Sequence, residues 1–184
     1  CLFGSKKHLM NELFENKSYP FYKFGDAIYL QKIGTQDWVE YICNRFSVTG
    51  KQISEQLAER ISQAVDNHSS YVQQLAWLVW VHTDKIATEK DFESAYQDII
   101  DQNTPLFEKQ TESLTTYQMN FLRAVLDGVH SEFTKQEILN KYQLGTSANI
   151  SIVKRALEKK ELIEIEKRKI IIPDPIMSVW LKRE

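Results

Sequence analysis

The spacing of apolar side chains predicts a mainly helical chain over residues 35–113. Trp38, Ile42 and Phe46 recur at every fourth position, which places them on one face of a helix. Three further segments carry such a stripe, and their apolar positions are Leu57, Ile61 and Val65, then Tyr71, Leu75, Leu78 and Val79, then Phe92, Ala95, Tyr96, Ile99 and Ile100. We expect a small helical bundle whose last helix ends or kinks at Pro105, because proline lacks the N–H that continues a helix.

Short polar residues ahead of the stripes mark where the helices begin. The side-chain oxygen of such a residue accepts a hydrogen bond from a first-turn N–H. Thr88 with Asp91, and Thr134 with Glu137, also have the spacing of a capping box. The predicted N-caps are Thr35, Ser54, Thr88, Thr116, Thr134 and Thr146.

The hydrophobic pattern changes its period in the last part of the chain. Three more helical stripes are followed by an alternating segment, Leu162–Ile165, then by a polar turn, Glu166–Lys169, and by a second apolar run, Ile170–Ile172. This pattern indicates a β-hairpin. Three helices followed by a two-stranded wing are typical of a winged helix-turn-helix. The predicted fold class is therefore mainly α, with a helical bundle over residues 35–113 and a winged helix-turn-helix domain with a small β-hairpin over residues 114–184.

The first residues predict a strand that leaves a sheet. The apolar triplet Cys1–Phe3 runs into Gly4 and Ser5, a pattern typical of a buried strand that ends at a tight turn. The neighbouring sequence offers no second strand for such a sheet. We therefore expect the chain to be part of a larger protein, with residues 1–34 forming the end of a core strand and a connecting segment.

Composition narrows the class of protein. Of the 184 residues, 42% are hydrophobic and 26% are charged, as in a folded globular protein. The longest apolar run is far shorter than the ~20 residues that cross a bilayer, so no membrane partner is expected. Two cysteines are too few for a disulfide scaffold, which favours a cytoplasmic location. The six glycines form no phosphate-binding cluster, and the histidines and cysteines lack metal-ligand spacing, so we expect no P-loop and no metal site in this chain.

Charge divides unevenly along the chain. Residues 1–113 hold 11 basic and 16 acidic side chains, whereas residues 114–184 hold 12 basic and 9 acidic side chains. The overall net charge of −2 therefore combines an acidic first part with a mildly basic second part. The basic side chains gather in the predicted winged helix, where such a fold touches DNA.

Several segments together resemble the C-terminal part of the archaeal-type ATPases of the AAA+/STAND class. The opening FGSKKHLMNELF resembles the segment after that family's fourth core strand, and DWVEYICNRF and SSYVQQLAWLVW resemble helices of its lid. LTTYQMNFLRAV and the final D-P-x-x-x-x-W-L resemble its winged helix. The resemblance spans nearly the whole chain, with one departure: Asn67–Ser70 stands where the family has a Gly/Pro turn.

The resemblance implies a role for each part of the chain. Residues 35–113 would be a lid that closes on ATP, which the ATPase core of the full-length protein would hold with Mg²⁺. Neither a Walker A lysine loop nor a Walker B acidic strand occurs here, so this chain alone should not hydrolyse ATP. Ser5 is the nearest match to the family's sensor position near the γ-phosphate, and Lys6 follows it. The alternative is that Gly4 and Ser5 only form a turn and cap the next helix.

Cationic and small polar side chains of the predicted winged helix are the candidates for contact with double-stranded DNA. The helix that begins after Thr146 has the place of the recognition helix, whose N-terminal residues reach base edges. The wing tip can follow a phosphate backbone. The candidates are Ser147, Asn149, Ser151, Lys154, Arg155, Lys159, Lys160, Lys167, Arg168 and Lys169.

A second hypothesis gives the winged helix a protein partner instead of DNA. Four glutamates alternate with the candidate cations and would repel phosphate: Glu158, Glu161, Glu164 and Glu166. In AAA+/STAND proteins, winged helices also serve as packing or autoinhibitory modules, so the resemblance is compatible with either role. A free-standing transcription regulator is a third and less favoured interpretation, because the N-terminus has the pattern of a truncated strand.

The four tryptophans divide into two pairs. Trp38 and Trp180 lie in apolar stripes and are expected in the core. Trp77 and Trp80 lie three residues apart on one predicted helix, within a run, WLVWV, that is apolar nearly all round. Such a helix is either deeply buried or covered by a domain that this chain lacks.

Overall fold

The computed structural model describes residues 13–24, 28, 30–166 and 168–183. The chain divides into two units, Cys1–Gln31 and Lys32–Glu184. The predicted strand end, with the candidates Ser5 and Lys6, lies outside the described residues. In the first unit, residues 13–15 are helical, and the amide of Lys23 donates a 2.9 Å hydrogen bond to the carbonyl of Phe14 across the turn that follows.

The second unit is mostly helical and is built from a bundle and a winged helix. The helices of the bundle, α1 to α4, are Thr35–Val48, Glu55–Ala64, Ser69–His82 and Glu89–Glu112. The elements of the winged helix (residues 115–183) are α5 (Thr116–Leu126), α6 (Gln136–Lys141), α7 (Ser147–Lys159), β1 (Glu164–Glu166), β2 (Lys169–Ile171) and α8 (Pro175–Leu181). Their order confirms the predicted fold class.

The predicted apolar stripes form the core of this unit. Ile61 and Leu75 are fully buried in the bundle, and Phe121 is fully buried in the winged helix, where its ring stacks on that of Phe133 with 4.3 Å between centroids. Trp38 is buried, as predicted. Burial removes these side chains from water and supplies most of the driving force for folding.

Several of the predicted N-caps are confirmed. The Ser54 hydroxyl accepts a hydrogen bond from the amide of Leu57, and Thr88 forms a capping box with Asp91. Thr146 occupies the N-cap position of α7, although its side chain makes no capping hydrogen bond.

Other predicted N-caps are wrong. Gly34 precedes α1, and the hydroxyl of Thr35 pairs with the side chain of Asn67 instead. The capping box of α5 belongs to Thr115, because Gln118 lies three residues after it and returns the second hydrogen bond. The N-cap of α6 is Lys135, one residue after the predicted Thr134, and it makes no side-chain cap.

Helix α4 does not end at Pro105. It continues through this residue to Glu112, so the prediction of an end at the proline is wrong. The helix loses one backbone hydrogen bond at the ring. Beyond the proline, Phe107 is almost fully buried and Thr111 is buried, and this packing outweighs the missing bond.

The wing is shorter than predicted and shifted along the chain. In the antiparallel register, Glu164 pairs with Ile171, Ile165 with Ile170 and Glu166 with Lys169. Glu166 and Lys169 therefore lie in the strands rather than in the turn. Outside this ladder, the amide of Ile170 donates a hydrogen bond to the carbonyl of His130, and the His130 ring Nδ1 lies 2.8 Å from the carbonyl of Ile170.

The helices of the described residues can be compared with the thickness of a bilayer. None of the helices there has both the length and the apolar character needed to cross a bilayer.

Candidate nucleic-acid interface

Helix α7 is held against the rest of the winged helix by an apolar stripe and a tight turn. Ile150, Val153 and Leu157 are buried on its inner face. The turn before the helix needs Gly145, whose φ of +80° is in the left-handed region. A Cβ there would also meet the Tyr117 ring at 3.2 Å. The inner face is thus fixed, and the opposite face of α7 is open to solvent.

The open face carries some of the predicted DNA-contact residues. Ser147, Ser151, Arg155 and Lys159 are exposed, and Lys154 is half-buried. Ser147, Ser151 and Arg155 recur at helical spacing, so they share one side of the helix. The structure therefore brings small polar and cationic groups together where a helix-turn-helix meets DNA.

Two of the predicted residues have structural partners instead. The side-chain amide of Asn149 donates to the carbonyl of Leu144 at 3.2 Å, which closes the turn before α7. The ammonium group of Lys160 lies 2.7 Å from the hydroxyl of Ser113, at the end of α4. Asn149 thus supports the turn, and Lys160 joins the winged helix to the bundle.

The wing exposes cations and carboxylates side by side. Arg168 and Lys169 are exposed, and so are Glu164 and Glu166. Lys167 lies outside the described side chains. Since Glu166 is paired with Lys169 in the strand register, the wing is less cationic than a tip of three adjacent basic residues suggests.

Acidic residues are absent from most of α7. The segment Ser147–Leu157 holds two cations, Lys154 and Arg155, and no carboxylate. The four glutamates that oppose DNA in the sequence begin at Glu158. These carboxylates therefore lie at the end of α7 and on the wing, away from the start of the helix, which in a recognition helix is the part that reaches base edges.

The cations of this face are also unpaired. Within the part of the chain that the structure describes, none of Arg155, Lys159, Arg168 and Lys169 takes part in an ion pair. In the bundle, by contrast, the guanidinium of Arg60 pairs with both Glu89 and Glu93. Unpaired surface cations keep their full charge available for an anionic partner.

One exposed residue of α7 was missed by the sequence reasoning. Ile152 is 68% exposed, and it lies off the buried stripe of its helix. The sequence itself indicates this exposure. Residues 150, 153 and 157 form the apolar stripe of the inner face, and Ile152 lies outside that stripe. Most of this isoleucine side chain is therefore open to solvent.

A hydrogen bond between Tyr71 and Asp174, which the sequence did not indicate, joins the winged helix to the bundle. The Tyr71 hydroxyl on α3 donates a 2.8 Å hydrogen bond to one carboxylate oxygen of Asp174. The other oxygen accepts hydrogen bonds from the amides of Ile176 and Met177 and so caps α8. Burial, together with the adjacent Asp174 carboxylate, raises the pKa of Tyr71, so its hydroxyl remains a donor at neutral pH.

Aromatic packing completes this junction. The ring of Phe107 on α4 meets that of Trp180 on α8 at 5.7 Å between centroids, and both side chains are buried. The Arg183 guanidinium then donates to the side chain of Gln97 at 2.9 Å. Trp180 is therefore a core residue, as predicted, and its partner comes from the bundle.

The apolar run on α3 is only partly buried. Trp77 is 58% exposed and Val81 is 49% exposed, so deep burial of the whole helix is wrong. Trp80 is half-buried: its indole N–H donates to the Thr49 hydroxyl, and the Lys51 ammonium lies 4.2 Å from its ring centroid. The bundle thus has an exposed apolar face that includes Trp77 and Val81, next to the Trp80 indole, which Thr49 and Lys51 hold in place.

No metal or thiol chemistry is supported by the described residues. No group of three histidines, cysteines or carboxylates able to hold a metal ion occurs among them. The free thiol of Cys43 is partly buried on α1, and this burial, with a smaller effect from Glu55, raises its pKa. A raised pKa disfavours the thiolate, so this cysteine has the character of a packed side chain.

Comparison with known proteins agrees with this architecture. A family model described as "Probable winged helix domain" matches residues 105–183, in agreement with the winged-helix fold of this part of the chain. The match begins within α4, ahead of the predicted boundary between residues 113 and 114, and that boundary stays a prediction. A search of curated proteins finds no match.

A solved structure extends the likeness to the bundle. The Walker-type ATPase of Pyrococcus abyssi is similar over 95% of this chain, with a TM-score of 0.70 and 15% sequence identity. The chain spans 50% of that ATPase. At this identity the likeness shows a shared fold, and it confirms at that level the predicted resemblance to part of an archaeal ATPase.

Proposed function

We propose that this chain is the lid and winged helix of an ATP-binding ATPase, and that its winged helix contacts duplex DNA. The bundle closes on nucleotide held with Mg²⁺ by an ATPase core, and its movement repositions the winged helix. The observation that carries this proposal is the open face of α7, where Arg155 and two serines stand on a segment without carboxylates. The fold shared with a Walker-type ATPase supports the link to nucleotide.

The junction between the bundle and the winged helix supports their joint movement. Tyr71, Asp174, Phe107 and Trp180 form a hydrogen bond and a buried ring contact across it. A lid held in this way transmits its rotation to α7 instead of turning independently. Since the described residues carry no Walker motif, nucleotide chemistry belongs to the core, and purified chain is expected to show no ATP turnover. Measured hydrolysis by this chain would contradict that expectation.

A salt titration of binding to a labelled DNA duplex tests the DNA contact. Phosphate contacts release counterions, so the logarithm of the affinity should fall linearly with the logarithm of the salt concentration. Replacement of Arg155, Arg168 and Lys169 by alanine should weaken binding about tenfold or more and reduce the slope by about 0.9 for each phosphate that is no longer neutralised. Fluorescence anisotropy of the duplex measures both quantities.

A matched control removes the same number of charges from the bundle. Lys85, Lys90 and Lys109 are exposed there, and their replacement by alanine should leave the affinity and the slope within twofold of the wild type. Equal losses in the two variants would show that only net charge matters. Binding that is absent, or that does not depend on salt, would overturn the DNA contact.

A second candidate function, a winged helix that binds protein, would use the exposed Ile152 and the glutamates of the wing. Apolar side chains at the centre of an exposed face are common anchors of protein interfaces. The glutamates from Glu158 to Glu166 suit a protein partner better than phosphate. In this case the chain would bind no duplex at any salt concentration, and the Ile152→Ala variant would lose the partner of the full-length protein.

A further inference from the structure

We infer that Ile152 reads the methyl group of thymine in the major groove, and that the winged helix therefore prefers duplexes with thymine beneath α7. This inference rests on the proposed contact with DNA and makes it more specific. It assigns a specificity role to a side chain that lies outside the buried stripe of its helix and is 68% exposed.

The position of Ile152 on α7 fits a base contact. It lies three residues before Arg155 and four residues after Ala148, so the three side chains form one exposed row along the helix. Ala148 and the neighbouring Ser151 are small, which lets the helix backbone approach a groove closely. The row begins in the first turn of α7, the part of a recognition helix that reaches base edges.

The chemistry of the row distinguishes bases in the major groove. Thymine presents a C5-methyl group there, and cytosine, adenine and guanine do not. An isoleucine side chain can bury that methyl group, whereas it has no hydrogen bond to offer the other bases. Arg155, one turn further along, has the fork of donors that fits guanine O6 and N7. The row thus combines an apolar side chain that suits the methyl group of thymine, Ile152, with a cationic side chain that suits guanine, Arg155.

The charge around Ile152 favours DNA over protein as the occupant of this row. No carboxylate occurs between Ser147 and Leu157, and Arg155 is not in an ion pair within the described residues. If Ile152 bound an apolar surface of a protein partner, carboxylates near it would not weaken that contact. A bound duplex needs their absence, because each carboxylate near a phosphate weakens binding.

Deoxyuridine isolates the contact, because it lacks only the methyl group of thymine. The affinity of the whole chain is measured by anisotropy for an alternating A·T duplex and for the same duplex with deoxyuridine at every thymine. Wild-type protein should bind the thymine duplex roughly fourfold more tightly for each methyl group that it buries. Ile152→Ala should bind both duplexes equally, with an affinity for the deoxyuridine duplex within twofold of the wild type.

Ile86→Ala is the matched control. Ile86 lies between α3 and α4 and is 63% exposed, close to the 68% of Ile152, so the same atoms are removed from a similarly exposed side chain. This variant should keep the wild-type preference for thymine. Unchanged thermal midpoints in both variants would exclude unfolding as the cause of any loss.

Each outcome decides between the hypotheses. Equal affinity of the wild type for the two duplexes would overturn the reading of thymine while leaving the DNA contact standing. Retention of the preference in Ile152→Ala would overturn the role of this residue. Failure to bind either duplex would overturn the proposed DNA function itself, and with it this inference, in favour of a protein partner.

Discussion

The bundle and the winged helix use their charged side chains differently. In the bundle, Arg60 bridges two glutamates of α4 while its guanidinium lies 4.2 Å from the ring centroid of Phe92, and Lys32 pairs with Asp66 at 2.5 Å. On the open face of α7 and on the wing, the described cations make no ion pair. Paired charges join helices, whereas unpaired charges remain available to a partner. The ion pairs of Arg60 therefore join helices of the bundle, whereas the cations of α7 and the wing are the ones that we propose for contact with DNA.

The largest predicted effect breaks the junction through which the two regions meet. Phe107→Ala removes a buried ring against Trp180 and should lower the free energy of unfolding by about 3–5 kcal/mol. Chemical denaturation, followed by circular dichroism, measures this change. We expect the bundle and the winged helix of this variant to unfold in separate steps.

The adjacent residue supplies the control for this substitution. Leu106 is 52% exposed, and Leu106→Ala should change the unfolding free energy by less than about 0.5 kcal/mol. If Phe107→Ala behaves like Leu106→Ala, the ring contact does not hold the two regions together.

A smaller effect is expected at the polar half of the junction. Tyr71→Phe removes one hydroxyl and leaves the ring, and it should lower the unfolding free energy by about 1–2 kcal/mol because a carboxylate oxygen of Asp174 loses its donor. Hydrogen exchange of the α8 amides should become faster. Asp174→Ala and the double variant with Tyr71→Phe complete a double-mutant cycle, and a coupling energy near zero would show that the hydrogen bond adds no stability.

The smallest expected change in unfolding free energy is found by comparing one arginine of the bundle, Arg60, with one of the winged helix, Arg155. Arg60→Ala should lower the unfolding free energy by about 0.5–1 kcal/mol, because it removes two exposed ion pairs and the packing of the guanidinium on Phe92. Arg155→Ala should leave stability within about 0.5 kcal/mol and should instead weaken DNA binding. Equal effects of the two substitutions on stability would remove the distinction between structural and functional charge.

Much of the fold could be predicted because its signals are local. The stripes that begin at Trp38, Leu57 and Phe92 depend on residues three or four positions apart, and the structure buries them as expected. The caps at Ser54 and Thr88 also involve neighbours in the sequence. Two errors, the N-cap at Thr35 and the helix end at Pro105, have the opposite origin, because they depend on distant residues: Asn67 bonds to Thr35, and Phe107 just beyond the proline packs on Trp180.

The candidate interface was predicted only in part. The spacing of Ser147, Ser151 and Arg155 was enough to place them on one face of a helix. That Asn149 turns inward to the carbonyl of Leu144 depends on the conformation of the preceding turn, and that Lys160 meets Ser113 depends on how α7 lies against the bundle. Ile152 could have been recognised as the apolar residue outside its stripe.

The sequence by itself determined the helices, the hairpin and the division of charge, because periodicity, capping and composition are properties of neighbouring residues. Only the tertiary structure decided which cations form ion pairs among the described residues, that Trp77 is exposed, and how Tyr71 reaches Asp174 from 103 positions away. Such contacts depend on the packing of elements that are distant in the chain, and no local pattern encodes the distance between them. Local sequence patterns therefore determined the helices and strands of this protein, and packing between them determined which of their side chains remain exposed to a partner.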